Sequence, residues 1–226
     1  VGIFPTMTGF LSTIERYLTE GYKRVKIKIE PGWDIEPVKE VRKHFKNVPL
    51  MVDANAAYTR NDISLFQQLD EFDLIMFEQP LAKSDLEGHA ELQAKVRTPV
   101  CLDESAADIA AVKKAISLGS CKIINIKVQR MGGLGKSKEV HDLCQQANIP
   151  VWAGTMPELG IGSVQAIHIA TLPNFSYPTD VESSSRWFVD DIIEPWIEVK
   201  DGWITVPSEV GYGFRIDERK IHRYAL

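Results

Sequence analysis

The sequence predicts an α/β fold of the TIM-barrel type, built from successive β/α units. Three observations carry that expectation. Lys28, Asp53, Glu78, Asp103 and Lys127 stand at successive intervals of 25, 25, 25 and 24 residues, each closing a short apolar run. One strand, one helix and two short loops take about 25 residues, so each interval reads as one unit of a parallel sheet. The segments between the charged residues carry apolar positions at helical spacing. A charge at the C-terminal tip of each of five strands would converge on one mouth, the face where barrel enzymes carry their chemistry.

The elements follow in order. Val1-Gly2-Ile3 is a stub of a first strand, and the 226 residues read as a fragment beside the about 250 that a closed barrel takes. The first helix has its stripe at Phe10, Leu11, Ile14, Tyr17 and Leu18 and ends at Gly21. A second strand runs from Arg24 to Ile29, with Val25, Ile27 and Ile29 facing the helices and Lys26 and Lys28 facing the other way. Two lysines in an ordinary core are very unfavourable, so that inner face must hold anions or metal-bound ligands. The second helix (Ile35, Val38, Val41, Phe45) leads to a strand at Leu50–Asp53. Thr59 caps a third helix, and a fourth strand covers Leu74–Glu78. Ser84-Asp85-Leu86-Glu87 reads as a capping box opening the next helix. Further strands are expected at Val100–Asp103, Lys122–Val128, Pro150–Ala153 and Tyr177–Val181. Gly119 ends the fifth helix, and Gly132-Gly133 opens the sixth. Residues 1–190 would form the barrel. In the remaining 191–226, Ile197–Val206 reads as a hairpin turning at Asp201-Gly202 outside it.

Composition narrows the function class. A net charge of −5 and scattered basic residues argue against a nucleic-acid partner. No stretch approaches a membrane span, and no signal-peptide pattern opens the chain. Cys101, Cys121 and Cys144 are odd in number and widely spaced, which fits reduced core thiols in a cytoplasmic protein. With a first strand cut short, edges and apolar surface would be left uncovered, so self-association into a homo-oligomer is expected.

Asp53, Glu78 and Asp103 offer only oxygen donors, which select a hard cation, Mg²⁺ or Mn²⁺, over Zn²⁺. One strand-end carboxylate would ordinarily face solvent, but three in fixed register are forced together by barrel geometry. Lys28 and Lys127 would face each other across that ion as acid–base candidates. Lys26 and Arg130 are placed to lower the pKa of each in turn. Asn55 and Glu104 are candidates to hydrogen-bond a ligand carboxylate or a lysine, and Asn125 shares a strand face with Lys127. Gly154-Thr155-Met156 would let backbone N–H groups approach an anionic substrate. The five histidines, His44, His89, His141, His168 and His222, fall away from the strand tips and read as structural or solvated.

With these residues in place, the sequence resembles the enolase superfamily. Lys26-Ile27-Lys28, Asp53-Ala54-Asn55, Phe77-Glu78-Gln79-Pro80, Leu102-Asp103-Glu104-Ser105 and Asn125-Ile126-Lys127 are similar to its muconate-lactonizing-like subgroup. Lys28-Ile29-Glu30-Pro31-Gly32-Trp33-Asp34 resembles the o-succinylbenzoate synthase / N-succinylamino acid racemase family within it. The resemblance implies a (β/α)7β barrel and an N-terminal α+β capping domain that these residues do not contain. It also implies a metal-dependent hydro-lyase of menaquinone biosynthesis acting on a small carboxylate, with Lys28 as base and Lys127 opposite it. A racemase of N-succinylamino acids is the alternative. Asp180-Val181-Glu182 is more acidic than the resemblance leads one to expect and is similar to dipeptide epimerases. A scaffold barrel without activity would have lost at least one of the five charges, and all five are present.

Overall fold

In the computed structural model, which describes residues 1–225, six parallel strands stand side by side in chain order. They are β1 (Val25–Lys28), β2 (Leu50–Asp53), β3 (Phe77–Glu78), β4 (Val100–Leu102), β5 (Ile123–Ile126) and β6 (Val151–Ala153). Sequential order without a reversal belongs to a barrel rather than to a doubly wound sheet. The intervening helices are α1 (Met7–Thr19), α2 (Ile35–His44), α3 (Ile63–Leu69), α4 (Leu86–Lys95), α5 (Ile109–Leu118), α6 (Val128–Met131), α7 (Leu134–Gln146) and α8 (Gly160–Ile169).

Period-two alternation sorts each strand into two layers. Val25, Ile27, Leu50, Val52, Ile124, Ile126 and Val151 point outward and join the helices in the main apolar core. Met51, Met76, Cys101, Ile123 and Trp152 form a separate core inside the curl of the sheet. Arg24, Lys26 and Lys28 share that inner side of β1. All three cysteines are free and buried.

Several boundaries differ from expectation, each for a local reason. β3 covers only Phe77–Glu78, not Leu74–Glu78. The Ile75 N–H still donates to Leu50 O, but on the other side Pro99 has no N–H to offer an earlier rung. β5 stops at Ile126 instead of Val128, because α6 begins there and Lys127 becomes its capping residue. Gly132 and Gly133, both at positive φ, separate α6 from α7. α4 is capped by Asp85, whose carboxylate accepts from Gly88 N, so Ser84 does not open a capping box. Thr59 does cap, on a single 3₁₀ turn ahead of α3.

The largest correction concerns Tyr177–Val181, which forms no strand. The segment lies along β6 through Ser176 N to Val151 O (3.1 Å) and Asp180 N to Ala153 O (3.0 Å). Pro178 lies between them and cannot donate, so the ladder stays incomplete. Val1 sits on the free side of β1, where its carbonyl accepts from Lys28 N at 3.0 Å.

The later residues add α9 (Ser184–Trp187), an antiparallel pair β7 (Ile193–Glu194) and β8 (Arg215–Ile216), and α10 (Glu218–Tyr224). The expected hairpin is reduced to the Lys200/Trp203 rung, turning at Asp201 (φ 50°) and Gly202 (φ 77°). A side chain at Gly202 would overlap the Gly21 carbonyl, so the turn packs directly on the entry to β1.

Phe66 on α3 is fully buried and meets Tyr58 and Phe77 edge-on, each at 5.2 Å between ring centroids. Phe66→Ala should lower unfolding free energy by about 3–5 kcal/mol in chemical denaturation. A loss under about 1 kcal/mol would contradict this packing.

Candidate active site

Register delivers the five strand-tip residues to one end of the sheet. Lys28 is paired with Asp53 and Asp53 with Glu78 across β1, β2 and β3. The next rung pairs Glu78 with Cys101, so Asp103 lies just past the end of β4. Leu102 pairs with Ile124, which brings Asp103 level with Asn125, and Lys127 follows at the end of β5. Asp53, Glu78 and Asp103 are at most 2% exposed.

Ionised carboxylates at that depth require compensation. Lys28 Nζ donates to Asp53 Oδ2 (2.6 Å) and also to Asn55 Oδ1. Lys127 Nζ donates to Asp103 Oδ2 (2.9 Å), while Arg130 takes Oδ1 at 2.5 Å and the Asp103 carbonyl at 2.6 Å. The two lysines therefore stand at opposite ends of the row of carboxylates. Glu78 has weaker partners, Asn125 Nδ2 at 2.8 Å and Lys26 Nζ at 3.3 Å. Burial pushes Glu78 up, Lys26 opposes it, and the carboxylates of Asp53 and Asp103 push it further, to about 8. For Asp53, burial is outweighed by Lys26 and Lys28, and the carboxyl is held below its ordinary range.

Such a row suits a hard divalent cation. Its donors are all oxygen, and Glu78 is under-compensated by the cations already present. In the arrangement described, the carboxylates are turned toward ammonium and guanidinium groups. No three His, Cys, Asp or Glu side chains converge on a common point among the described residues. An ion would compete with Lys26 for Asp53 and Glu78.

The surrounding candidates fall near the same mouth in unequal ways. Asn55, at φ 41°, bridges Lys28 and Glu104, donating from Nδ2 to Glu104 Oε1 at 3.1 Å. Asn125 links Glu78 to the turn after β6, accepting from Gly154 N at 2.8 Å. Any Cβ at Gly154 would overlap the Asn125 amide, which explains the glycine. That bond also corrects an expectation, since the Gly154 N–H is taken and is not free for a substrate anion. Thr155 donates to the Asp180 carbonyl, and Met156 is exposed. A cavity of about 840 Å³ opens between β1 and residues 175–182, and Lys26, Lys28, Asp180 and Trp203 are among the residues that line it. The histidines lie elsewhere, as expected. Buried His89, for example, accepts from Leu81 N.

Sequence reading missed a second charged cluster. Asp180 accepts from Arg24 and from Lys26, each at 2.5 Å. Both cations lie over the Trp152 ring, at 4.6 and 5.1 Å from its centroid. Burial alone would raise Asp180, but Lys26 and Arg24 hold it at about 2. For Lys26, burial is outweighed by Asp180, Glu78 and Asp53, so its ammonium form is favoured. The signal available was the alternation Arg24-Lys26-Lys28, which puts the arginine on the same inner face.

Residues 10–220 match the enolase C-terminal domain-like family. The chain belongs to that family. The o-succinylbenzoate synthase of Geobacillus kaustophilus is 50% identical over 224 residues, 99% of this chain and 60% of that protein. The N-succinylamino acid racemase of Thermus thermophilus is 45% identical over 226 residues, 100% of this chain and 61% of that protein. A solved enolase superfamily member from Enterococcus faecalis superposes with a TM-score of 0.95 at 39% identity, covering 99% of this chain and 61% of that one. The muconate lactonizing enzyme of Pseudomonas putida, at 20% identity and a TM-score of 0.92, shares the fold over 100% of this chain and 64% of that one. The chain spans about three fifths of the length of the curated relatives it matches.

Arg24→Met strands part of the Asp180 charge and should cost about 3–5 kcal/mol of stability. Adding Asp180→Leu should recover part of it, as a thermal-denaturation double-mutant cycle would show. Additive losses would mean that the pair is not coupled.

Proposed function

We propose that the protein carrying this chain is an o-succinylbenzoate synthase, a hydro-lyase that removes a proton α to a carboxylate and expels a β-hydroxyl as water. The observation that carries this reading is the pair of lysines at opposite ends of a buried carboxylate row, Lys28 on Asp53 and Lys127 on Asp103. Relatives of that name at 44–50% identity support the choice of reaction.

Asp53, Glu78 and Asp103 would hold Mg²⁺ or Mn²⁺, which when bound supplies electrostatic stabilisation for the second negative charge that develops on the substrate carboxylate. Lys28, neutral at the moment of reaction, takes the α-proton on Nζ. The electron pair left on carbon becomes the new double bond as the β C–O bond breaks. The departing hydroxyl takes a proton from Lys28 and leaves as water, which returns Lys28 to the amine. Lys127 remains an ammonium at the far end of the row and offsets the transient charge. Arg130 and Lys127 share Asp103, so the guanidinium keeps that carboxylate in place beside the ammonium. Asn55 orients Lys28 by accepting from its Nζ.

The racemase reading uses the same residues and is supported by relatives of that name at 45–46% identity. It requires Lys127 to cycle between amine and ammonium. An epimerase of dipeptides has less support. Of the acidic eighth segment, Asp180 has both oxygens committed to Arg24 and Lys26, while Glu182, among the described residues, accepts only from the Tyr22 hydroxyl through Oε2.

In the full-length protein, Lys28→Ala should abolish exchange of the substrate α-proton with deuterated solvent, and kcat should fall by about 10²–10⁴-fold. Exchange at the unmodified rate would move the base elsewhere. Lys127→Arg keeps a charge that is never given up in a protein, so dehydration should suffer less than racemisation. Equal loss of both activities, measured side by side, would contradict the assignment of dehydration as the main reaction.

A further inference from the structure

Gln79 follows Glu78, and its side chain reaches the segments that follow β3 and β4. It is fully buried, with its backbone at φ 40°, in the left-handed region that non-glycine residues rarely occupy. Its carboxamide is used to capacity. Oε1 accepts from the backbone N–H of Asp103 (2.9 Å) and of Ser105 (3.0 Å). Nε2 donates to the Leu81 carbonyl (3.0 Å) and to the Ser105 hydroxyl (2.7 Å), which in turn donates to Lys83 O at 2.9 Å. The main chain of the same residue does as much. Its N–H donates to Cys101 O and its carbonyl accepts from Ala56 N, both at 2.8 Å. One residue thus joins the segments that leave β2, β3 and β4, the three strands behind Asp53, Glu78 and Asp103.

The regular ladder between β3 and β4 ends at the Glu78/Cys101 rung, and β4 itself ends at Leu102. Beyond that point the Asp103 N–H is bonded not to another strand but to Gln79 Oε1. We infer that Gln79 is a positioning residue that sets the separation of the Glu78 and Asp103 carboxylates for a shared divalent cation. The inference rests on reading Asp53, Glu78 and Asp103 as metal ligands. A left-handed backbone with every polar atom of the carboxamide satisfied specifies one orientation, and that orientation fixes the amide of the next ligand strand. Partners that orient a ligating side chain typically contribute about 10–100-fold to metal affinity, and Gln79 acts on the same ligand through its backbone N–H.

The test is Mn²⁺ uptake by the full-length protein, followed through the spectrum of free Mn²⁺ in electron paramagnetic resonance well below the unfolding temperature. The unmodified protein should bind Mn²⁺, and Glu78→Gln should lose that binding. Gln79→Met keeps the side-chain length and removes all four bonds. It should weaken Mn²⁺ binding by about 10–100-fold while remaining folded by circular dichroism. Its melting temperature should also rise less on addition of Mn²⁺ than that of the unmodified protein. A purely structural role would lower the melting temperature but leave that rise intact. Folded Gln79→Met with affinity within twofold of the unmodified protein overturns the inference and leaves the metal reading standing. An unmodified protein that takes up no Mn²⁺ overturns the metal reading, and this inference with it. Should Gln79→Met fail to fold, Ser105→Ala decides, since it removes one of the four partners. A threefold or greater loss of affinity supports the inference, and unchanged affinity overturns it.

Discussion

Compensation of three buried carboxylates is the constraint around which the rest of the mouth is arranged. Asp53, Glu78 and Asp103 sit almost wholly out of water on neighbouring strands, where isolated charges would be prohibitively costly. The fold answers with ammonium groups from β1 and from the end of β5, a guanidinium from α6 and an amide from β5. That supply is uneven, and Glu78, in the middle of the row, receives the least. A dication on the carboxylates would complete the balance, and the lysines would then face the substrate. Structure and chemistry thus share one electrostatic requirement.

The same requirement explains the base of the inner layer. Arg24 and Lys26 reach Asp180 over the face of Trp152, so two cations are held in place below the row by one carboxylate and one aromatic ring. Lys26 bridges the two levels, touching Asp180 below and Asp53 and Glu78 above. Gln79 performs the matching task with neutral groups, outside the row.

How much of this was legible in the sequence follows from which signals are local. The 25-residue spacing of charges is a property of the repeating unit, so the strand tips and the sequential sheet were readable. Alternation along Val25–Lys28 likewise assigned both faces of β1 correctly. Strand lengths were less readable, because ladder bonds depend on the neighbour. Pro99, just ahead of the neighbouring β4, shortens β3, whereas Pro178 lies within Tyr177–Val181 and leaves that segment irregular. Lys127 was placed at the right mouth but on a strand that in fact hands over to a helix at Val128. Trp152 was not legible as part of the site, Gln79 stood out only as a member of the Phe77–Pro80 motif, and Asp180 only as an unexpectedly acidic position. The contacts that decide their roles run from Gln79 to Asp103, 24 residues on, and from Asp180 back to Arg24, 156 residues away, and nothing in the immediate sequence announces a contact at that range.

The most direct test of the central claim is a crystal structure of the full-length protein grown with Mn²⁺, using anomalous scattering to locate the ion. The account predicts one strong peak in contact with oxygens of Asp53, Glu78 and Asp103 together. A peak at any other place, or an ordered mouth with the three carboxylates still paired to Lys26, Lys28, Lys127 and Arg130 in saturating Mn²⁺, would contradict it.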